Sequence, residues 1–296
     1  MVALIVFAIL RLTPGDPAAV LAGDMATPGQ LAQIRSNMGL DQPMYLQFIS
    51  WVLQLLRGDL GVSLISQVPV TSLIGDRVGP SLALAVGTIV LSVLVAVPLG
   101  VLAASRHGSL LDRGVMAFSV FGFSVPVFLK GYLLILLFSI TLGWLPVQGY
   151  KPMEAGFVDF AQRLALPVIA LSASYIALIA RITRTSVLEV IGEDFIRTAR
   201  AKGVKESAVL MQHALRNAAV PIVTIIGAGV AALISGVVVV ESVFNLPGLG
   251  RLVVESVLAR DYPVIQGLIL LFSFVYILIN LVVDILYTVF DPRIRY

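Results

Sequence analysis

The chain has 296 residues, of which 58% are hydrophobic and only 12% are charged, and its mean hydropathy is +0.99. Soluble domains are about half apolar and a quarter charged, so this composition indicates a protein built for lipid rather than a soluble globular domain. The net charge of +3 fits membrane topology better than nucleic-acid binding, and the absence of cysteine excludes disulfides and thiolate metal sites.

The first element is the apolar opening MVALIVFAIL, which runs on to Leu12. Twelve residues of helix cover about 18 Å, whereas the hydrocarbon core of a bilayer is about 30 Å thick. The stretch has neither the basic start nor the small-residue cleavage site of a signal peptide. We therefore expect residues 1–12 to be part of a first transmembrane helix whose beginning lies outside this sequence.

A long segment, 13–80, separates this helix from the next apolar run. Its start, TPGDPAAVLAG, is a turn by its proline and glycine content. A short helix is predicted next, with Thr27 as its N-cap, Pro28 in its first turn and Gly39 as its stop. The following stretch, QPMYLQFISWVLQLLRGD, has apolar residues at helical spacing but is too short to span a bilayer. It is expected to lie at the membrane interface or to pack on the spans.

Four further apolar runs are clearly long enough to cross a bilayer, whose core takes about 20 residues of helix, and a fifth, 164–180, is shorter but continues in a helical pattern. With the opening helix they make six spans, and we predict an all-α integral membrane fold. Prolines inside these runs, such as Pro126, can kink the helices. Such kinks either serve the packing of the spans or lie around a transport pathway. The five runs are 81–104, 115–144, 164–186, 218–240 and 262–290.

Two ionisable residues, Lys130 and Asp284, lie well inside the predicted spans. Charges within a bilayer are costly, so such residues are candidates for a transport pathway. Lys130 lies mid-span, although a long lysine side chain can also reach the interface. Asp284 lies near the end of the last span, where reaching the interface or capping a neighbour is the simpler interpretation. Neither residue defines a site alone.

Lysine and arginine predict the orientation of the spans. The connections at one end, 105–114, 181–216 and the tail 291–296, hold eleven basic residues in 52 positions. The connections at the other end hold only eight in 110 positions. The first end is therefore predicted to be cytoplasmic, together with the C-terminus.

Residues 187–216 form a long cytoplasmic connection that carries five basic residues. Glu193 to Ala201 is predicted as a short helix, in which Glu193 lies four residues before Arg197 and can pair with it. Gly203 then supplies a stop that tolerates left-handed backbone.

A second short helix is predicted from Glu206 to Leu215. Two short helices joined at a glycine can enter a groove on a partner protein, or they can be a positively charged tether that only fixes topology. The apolar side of this second helix is predicted to consist of Val209, Leu210, Met211 and Ala214.

Motifs for catalysis are lacking in the sequence. No GxxxxGK[ST] loop occurs, so no nucleotide is expected to bind through a P-loop, and no HExxH motif occurs. His107 and His213 are far apart in sequence and offer no metal cluster. We predict no catalytic residue and no metal site, and His213 is interpreted as a polar residue of the loop helix.

Several motifs resemble one known family in the same order along the whole chain. DFIRTARAKGVKESAVLMQHALRNAAVP resembles the cytoplasmic loop of ABC-importer permeases of the dipeptide, oligopeptide and nickel group. TPGDP, GLDQPMYLQFISWV, GDLGVSL, PGLGRLVVESVLARDYPVIQG and DPRIR also resemble that group, and more narrowly its B-type subunit. The family loop reads Glu-Ala-Ala, three residues, Gly. Here Arg197, Thr198 and Ala199 precede Gly203, so the leading acid is absent.

The resemblance implies a type I ABC-importer permease fold with an extracytoplasmic segment after the first helix, in a bacterial inner membrane. The implied partners are a homologous C-type permease, two ATP-binding subunits that bind ATP and magnesium, and an extracytoplasmic solute-binding protein. No cofactor is expected in this chain. The residues expected to couple to an ATP-binding subunit are Glu193, Asp194, Arg197, Thr198, Ala199, Arg200, Lys202, Gly203 and Val204.

The pathway is expected between this chain and its partner permease, with candidate residues Phe123, Ser124, Lys130, Ser235 and Asp284. The segment 13–80, together with 241–261, is expected to dock the binding protein or to act as a lid over the spans. Peptides are the default solute, although nickel chelates, glutathione and some sugars also occur among relatives.

Two alternatives stay open at this point. A single-chain secondary transporter or channel would require internal repeats or several paired intramembrane charges, and we find neither in the sequence. A purely structural membrane scaffold would not explain a pair of short helices facing the cytoplasm.

Overall fold

The computed structural model describes residues 2–12, 18, 27–37 and 39–290. Within these ranges the regular structure is helical, apart from one isolated antiparallel bridge between Val62 and Pro69. Apart from Ala18, the turn predicted in TPGDPAAVLAG lies outside the described residues, as does the tail 291–296.

The chain divides into two compact units, residues 1–79 with 248–275, and residues 80–247 with 276–296.

In the described residues, two π-helical segments interrupt the helices, Ile135–Thr141 and Val209–Ala214. In chain order the helices are α1 (Val2–Leu12), α2 (Pro28–Asn37), α3 (Met44–Leu56), α4 (Val70–Ser105), α5 (Leu110–Ser124), α6 (Val127–Leu134), α7 (Phe157–Ile191), α8 (Asp194–Ala201), α9 (Glu206–Ala208), α10 (Leu215–Asn217), α11 (Ala219–Val243), α12 (Leu249–Leu258) and α13 (Tyr262–Phe290).

Helix α2 begins and ends as its sequence predicts. The Thr27 amide donates to Gln30 Oε1 at 2.9 Å, and the Gln30 amide donates to Thr27 Oγ1 at 3.3 Å. This reciprocal pair is a capping box, which satisfies two amides that the first turn leaves free. Gly39 has a φ of +64°, so the predicted glycine stop is also confirmed.

An aromatic cluster joins α1 and α3. The ring of Phe7 lies 5.3 Å from that of Phe48 and 5.7 Å from that of Trp51, measured between centroids. Helix α3 is therefore a short apolar helix that packs on α1, one of the two placements predicted for it.

The rest of the first unit is held by a small apolar core. Val70 at the start of α4 packs with Leu249 and Leu252 of α12 and with Val264 and Leu268 of α13. A Cβ added at Gly267 would lie 2.8 Å from the Val70 side chain. The glycine is what allows α13 to approach α4 closely here.

Among the residues that the structure describes, four helices are long and apolar enough to cross a membrane, namely α4, α7, α11 and α13 from Tyr262 to Leu286. A fifth span results if α5 and the stretch Val127–Thr141, which are bent by 103°, count as one broken span. The sixth predicted span, at 1–12, corresponds to the eleven residues of α1 and stays a prediction.

The prediction of one continuous span over 115–144 is wrong, because the helix breaks between Ser124 and Val127. Val125 adopts an extended conformation with φ −81° and ψ 125°. Proline disfavours the helical conformation of the residue before it and has no amide to donate, so Pro126 favours a break here. Pro98 and Pro167, in contrast, lie inside continuous helices.

Helix α7 lies at the centre of the second unit, and glycines of three neighbouring helices pack against it. A Cβ at Gly100 of α4 would meet Thr183 Cβ at 2.6 Å, and one at Gly236 of α11 would meet Leu171 at 2.8 Å. At Gly122 of α5, a Cβ would lie 3.1 Å from that of Ala177. Such small-residue contacts allow helices to associate closely in lipid.

Candidate functional site

The basic connection after α7 folds into a short helix with a well-defined end. Helix α8 begins at Asp194, one residue later than predicted, and Glu193 before it has an extended backbone. At the other end the amide of Gly203 donates to the Arg200 carbonyl at 2.9 Å, and the amide of Val204 donates to the Ala199 carbonyl at 3.2 Å. This is a Schellman pattern, and with a φ of +78° Gly203 supplies the left-handed residue that it requires.

The second predicted helix of this loop is only partly regular. Glu206–Ala208 and Leu215–Asn217 are α-helical, but the π-helical segment Val209–Ala214 separates them. Wider π turns change which side chains share a face. Val209 and Ala214 are buried as predicted, whereas Met211 is 57% exposed and does not belong to the apolar side.

The loop is fastened to the second unit by an apolar cluster that sequence reasoning missed. Ile196 of α8 is fully buried, as is Val209. They pack with Val101 of α4, Val187 of α7 and Ile222 of α11. The available signal was the apolar pair Phe195 and Ile196 between the charged Asp194 and Arg197. The loop is thus supported by the ends of three long helices.

Arg200 and Glu206 form an ion pair across the glycine turn. The guanidinium donates from Nε at 3.1 Å and from Nη2 at 2.6 Å to the two carboxylate oxygens. These hydrogen bonds lower the pKa of Glu206 and raise the pKa of Arg200 from their ordinary values. The pair fixes α8 relative to α9.

The pairing predicted between Glu193 and Arg197 is replaced by another. Arg197 instead lies 3.4 Å from Asp194, three residues earlier, because Glu193 lies outside the helix. The Thr198 hydroxyl donates to the Asp194 carbonyl at 3.0 Å.

Most of the proposed coupling residues lie on the exposed side of this loop. Ala199 and Val204 are half-buried, and Phe195 is an exposed apolar side chain that the sequence analysis did not single out. The exposed members are Glu193, Asp194, Arg197, Thr198, Arg200, Lys202 and Gly203.

Three of the five candidate pathway residues cluster at the break between α5 and α6. Phe123 and Ser124 are exposed on the last turn of α5, and Lys130 is half-buried on α6. The Lys130 ammonium donates to the Gly122 carbonyl at 2.9 Å and to the Ser174 hydroxyl of α7. It therefore caps the end of α5 and links both halves of the broken span to α7.

The other two candidates lie on separate helices. Ser235 of α11 and Asp284 of α13 have exposed side chains. Within the part of the chain that the structure describes, no hydrogen bond or ion pair joins either of them to Lys130.

Two buried acids of the second unit were not predicted. Asp112 accepts from Arg184 Nη2 at 2.7 Å and from the Gly108 amide at 2.9 Å, and it also bonds Arg184 Nε. Glu241, fully buried near the end of α11, accepts from the Ser81 hydroxyl. In the sequence, each of them is an acidic residue at the edge of an apolar run, which was the signal available for predicting it.

No group of histidine and carboxylate side chains in the described ranges is arranged to hold a metal ion. The Asp112–Arg184 pair sits beside His107, whose Nδ1 lies 3.0 Å from Arg184 Nη2. This cluster joins the turn before α5 to α7, and we assign it a structural role.

Comparison with known proteins gives matches over nearly the whole chain. Residues 96–296 match the family model "Binding-protein-dependent transport system inner membrane component", and residues 1–85 match the model for the N-terminal part of such membrane components.

Relatives matched over the whole of this chain are permeases of the same kind by name. The chain is 52% identical over all its 296 residues to a probable peptide ABC transporter permease protein of Sinorhizobium fredii, of which it covers 95%. It is 45% identical to a glutathione transport system permease protein of Salmonella choleraesuis, covering 94% of that protein. It is 44% identical to a putative peptide transport system permease protein of Brucella abortus, also covering 94%.

A solved structure shares the fold. The chain superposes on a chain of the inward-facing MetNI methionine ABC transporter with a TM-score of 0.62 and 19% identity. The match covers 75% of this chain and 97% of the other.

Proposed function

Since the chain belongs to the family of inner membrane components of binding-protein-dependent transport systems, we propose that it forms half of the pathway of an ATP-driven importer of short peptides. Family membership and the shared fold confirm the prediction that this chain is an ABC-importer permease. They decide against the alternative of a single-chain secondary transporter or channel. The protein is an integral component of the inner membrane.

The 52% identity to a probable peptide permease, over the whole chain, is the observation that carries the substrate class. A second relative, at 45% identity, is named for glutathione, which is itself a short peptide. Thermal-shift screening of the associated binding protein tests this. Stabilisation by di- and tripeptides is expected, and stabilisation by sugars or nickel chelates alone would contradict peptide transport.

ATP hydrolysis is proposed to take place on two partner subunits, which bind ATP and magnesium, with the basic loop as their docking element. The loop carries exposed charges and the exposed apolar Phe195 and Met211, and its buried Ile196 ties it to three long helices. A push on the loop would therefore reach those helices. Co-purification of the ATP-binding subunits with this chain tests the contact, and their absence would contradict it.

The pathway is proposed to run between this chain and a homologous C-type permease. Phe123, Ser124, Ser235 and Asp284 are exposed on the second unit, so their side chains are available for contact with a second permease or with the solute. We propose further that the C-terminus is cytoplasmic, from the excess of basic residues in the connections on that side.

Docking of the binding protein is proposed on the first unit. The Asp261 carboxylate accepts from the Ser63 hydroxyl and, at 3.1 Å, from the Leu64 amide. These bonds hold the turn 63–67 against the segment after α12. Ile65 and Leu258, which are 57% and 80% exposed, supply apolar contact area for a partner.

A further inference from the structure

Lys130 is a cation placed inside a membrane span without a carboxylate beside it. Its ammonium has three N–H groups, and the structure provides two acceptors, the Gly122 carbonyl and the Ser174 hydroxyl. Across the described ranges no aspartate or glutamate forms an ion pair with it. Both acceptors are neutral, so the positive charge lacks a counter-ion.

The exposed side of Lys130 is expected to contact water or a polar ligand. The residue is half-buried, so part of the side chain faces out of the chain. Ionisable side chains in spans almost always face the bundle interior or a water-filled cavity, because facing lipid is costly. The exposed side of Lys130 is therefore expected to face the pathway rather than lipid.

The broken span brings the end of α5 and the start of α6 together at Lys130. Lys130 lies in the first turn and a half of α6, whose N-cap, Pro126, provides no side-chain hydrogen bond. The amides at the start of a helix have no acceptor within it, and the helix dipole is positive there. The ammonium itself donates to the Gly122 carbonyl in the last turn of α5, where the dipole is negative, so Lys130 lies where the two dipole ends of the broken span meet.

We propose that Lys130 binds the carboxylate of the solute as it passes the break between α5 and α6. This inference rests on the proposed peptide transport, since peptides and glutathione carry a free carboxylate. The ammonium would use its third N–H for the anion while the Gly122 carbonyl and the Ser174 hydroxyl hold it in place. A charge-assisted hydrogen bond of this kind is roughly twice as strong as a neutral one.

The test compares a labelled tripeptide with its C-terminal amide in proteoliposomes containing the complete transporter and its binding protein. Lys130→Met removes the charge and keeps the length of the side chain, and Lys130→Arg is the matched control. The same binding protein delivers both solutes to every variant, so its own preference cancels when variants are compared.

The expected result is a loss confined to the free carboxylate. In Lys130→Met the ratio of acid to amide uptake should fall about tenfold, which corresponds to one charge-assisted hydrogen bond. In Lys130→Arg the ratio should stay within about threefold of the parent. An equal loss of uptake of both peptides in Lys130→Met would assign Lys130 to the helix break alone and overturn the proposal. Uptake of both peptides at the parental level would overturn it as well.

A second readout omits the binding protein. The chain has no cysteine, so Ser124→Cys gives a single reporter next to the break. The free tripeptide at high concentration should slow alkylation of this cysteine in the assembled complex more than its amide does, and Lys130→Met should abolish the difference. Equal protection by both peptides would overturn the carboxylate site. Absence of uptake of either peptide by the parent transporter would instead contradict peptide transport itself.

Discussion

Arg200 and Glu206 face each other across Gly203, and two hydrogen bonds of 3.1 and 2.6 Å join the guanidinium to the carboxylate. The pair closes the turn between α8 and α9, while Ile196 and Val209 are buried. Three features thus define the loop geometry: the left-handed glycine, the ion pair and the apolar anchor.

Glu206→Gln should loosen the loop modestly. The pair is half-exposed, so its contribution is about 0.2–1 kcal/mol rather than that of a buried pair. The pKa of Glu206 lies below its ordinary 4.5, so the pair stabilises the loop at pH values above 4.5 and this stabilisation is lost as the pH falls through the lowered value. Hydrogen exchange of residues 194–217 should be faster in Glu206→Gln at pH 7, and the difference should shrink in acid.

Gly203→Val should strongly reduce transport while the chain still inserts in the membrane. The φ of +78° is unfavourable for a residue with a Cβ by roughly 1–2 kcal/mol, and more so for a β-branched one. Gly203→Asn is the matched control, because asparagine tolerates this conformation. Arg200→Lys should be milder than Gly203→Val, since a lysine keeps the charge but not the two-bond fork. Full transport and full co-purification of the ATP-binding subunits in Gly203→Val would contradict the coupling role.

Ile196→Ala should detach the loop from the helix ends. The side chain is fully buried, and truncating a buried isoleucine typically costs about 2–5 kcal/mol. Amide exchange should rise across 194–217 and ATP hydrolysis should become independent of the binding protein. Phe195→Ala, at an exposed position in the same helix, is the control: exchange should change little. Equal exchange in the two variants would show that Ile196 does not anchor the loop.

Deleting residues 24–42 should impair uptake and leave the basal ATPase of the assembled complex largely intact. The deletion removes α2 and its capping box from the first unit, where the binding protein is proposed to dock. Gly29→Ala is a mild control, because a Cβ there meets nothing within 4 Å. Uptake at the parental level after the deletion would rule out docking through this segment.

Features that depend on neighbouring residues were predictable from the sequence, whereas contacts between distant positions were not. The Thr27 cap and the Gly203 stop depend on residues within a few positions, and both were predicted. Asp112 and Arg184 are 72 positions apart, and no single-sequence pattern links them.

The break at Pro126 shows a second limit. Pro98 and Pro167 have the same chemistry inside equally apolar runs, yet their helices continue. What differs is tertiary: Lys130 and Ser174 meet the Gly122 carbonyl at the end of α5. The π-helical segment of the basic loop was likewise not predictable, because the burial of Val209 and Ala214 depends on packing against α4 and α7.

The central claim is that this chain uses ATP hydrolysis on partner subunits to import peptides. The most direct measurement is uptake of a labelled tripeptide into proteoliposomes that contain both permeases, the ATP-binding subunits and the binding protein. We predict that uptake requires ATP with magnesium and the binding protein together, and that Gly203→Val strongly reduces it. Uptake by this chain alone, driven by an ion gradient without ATP, would contradict the account.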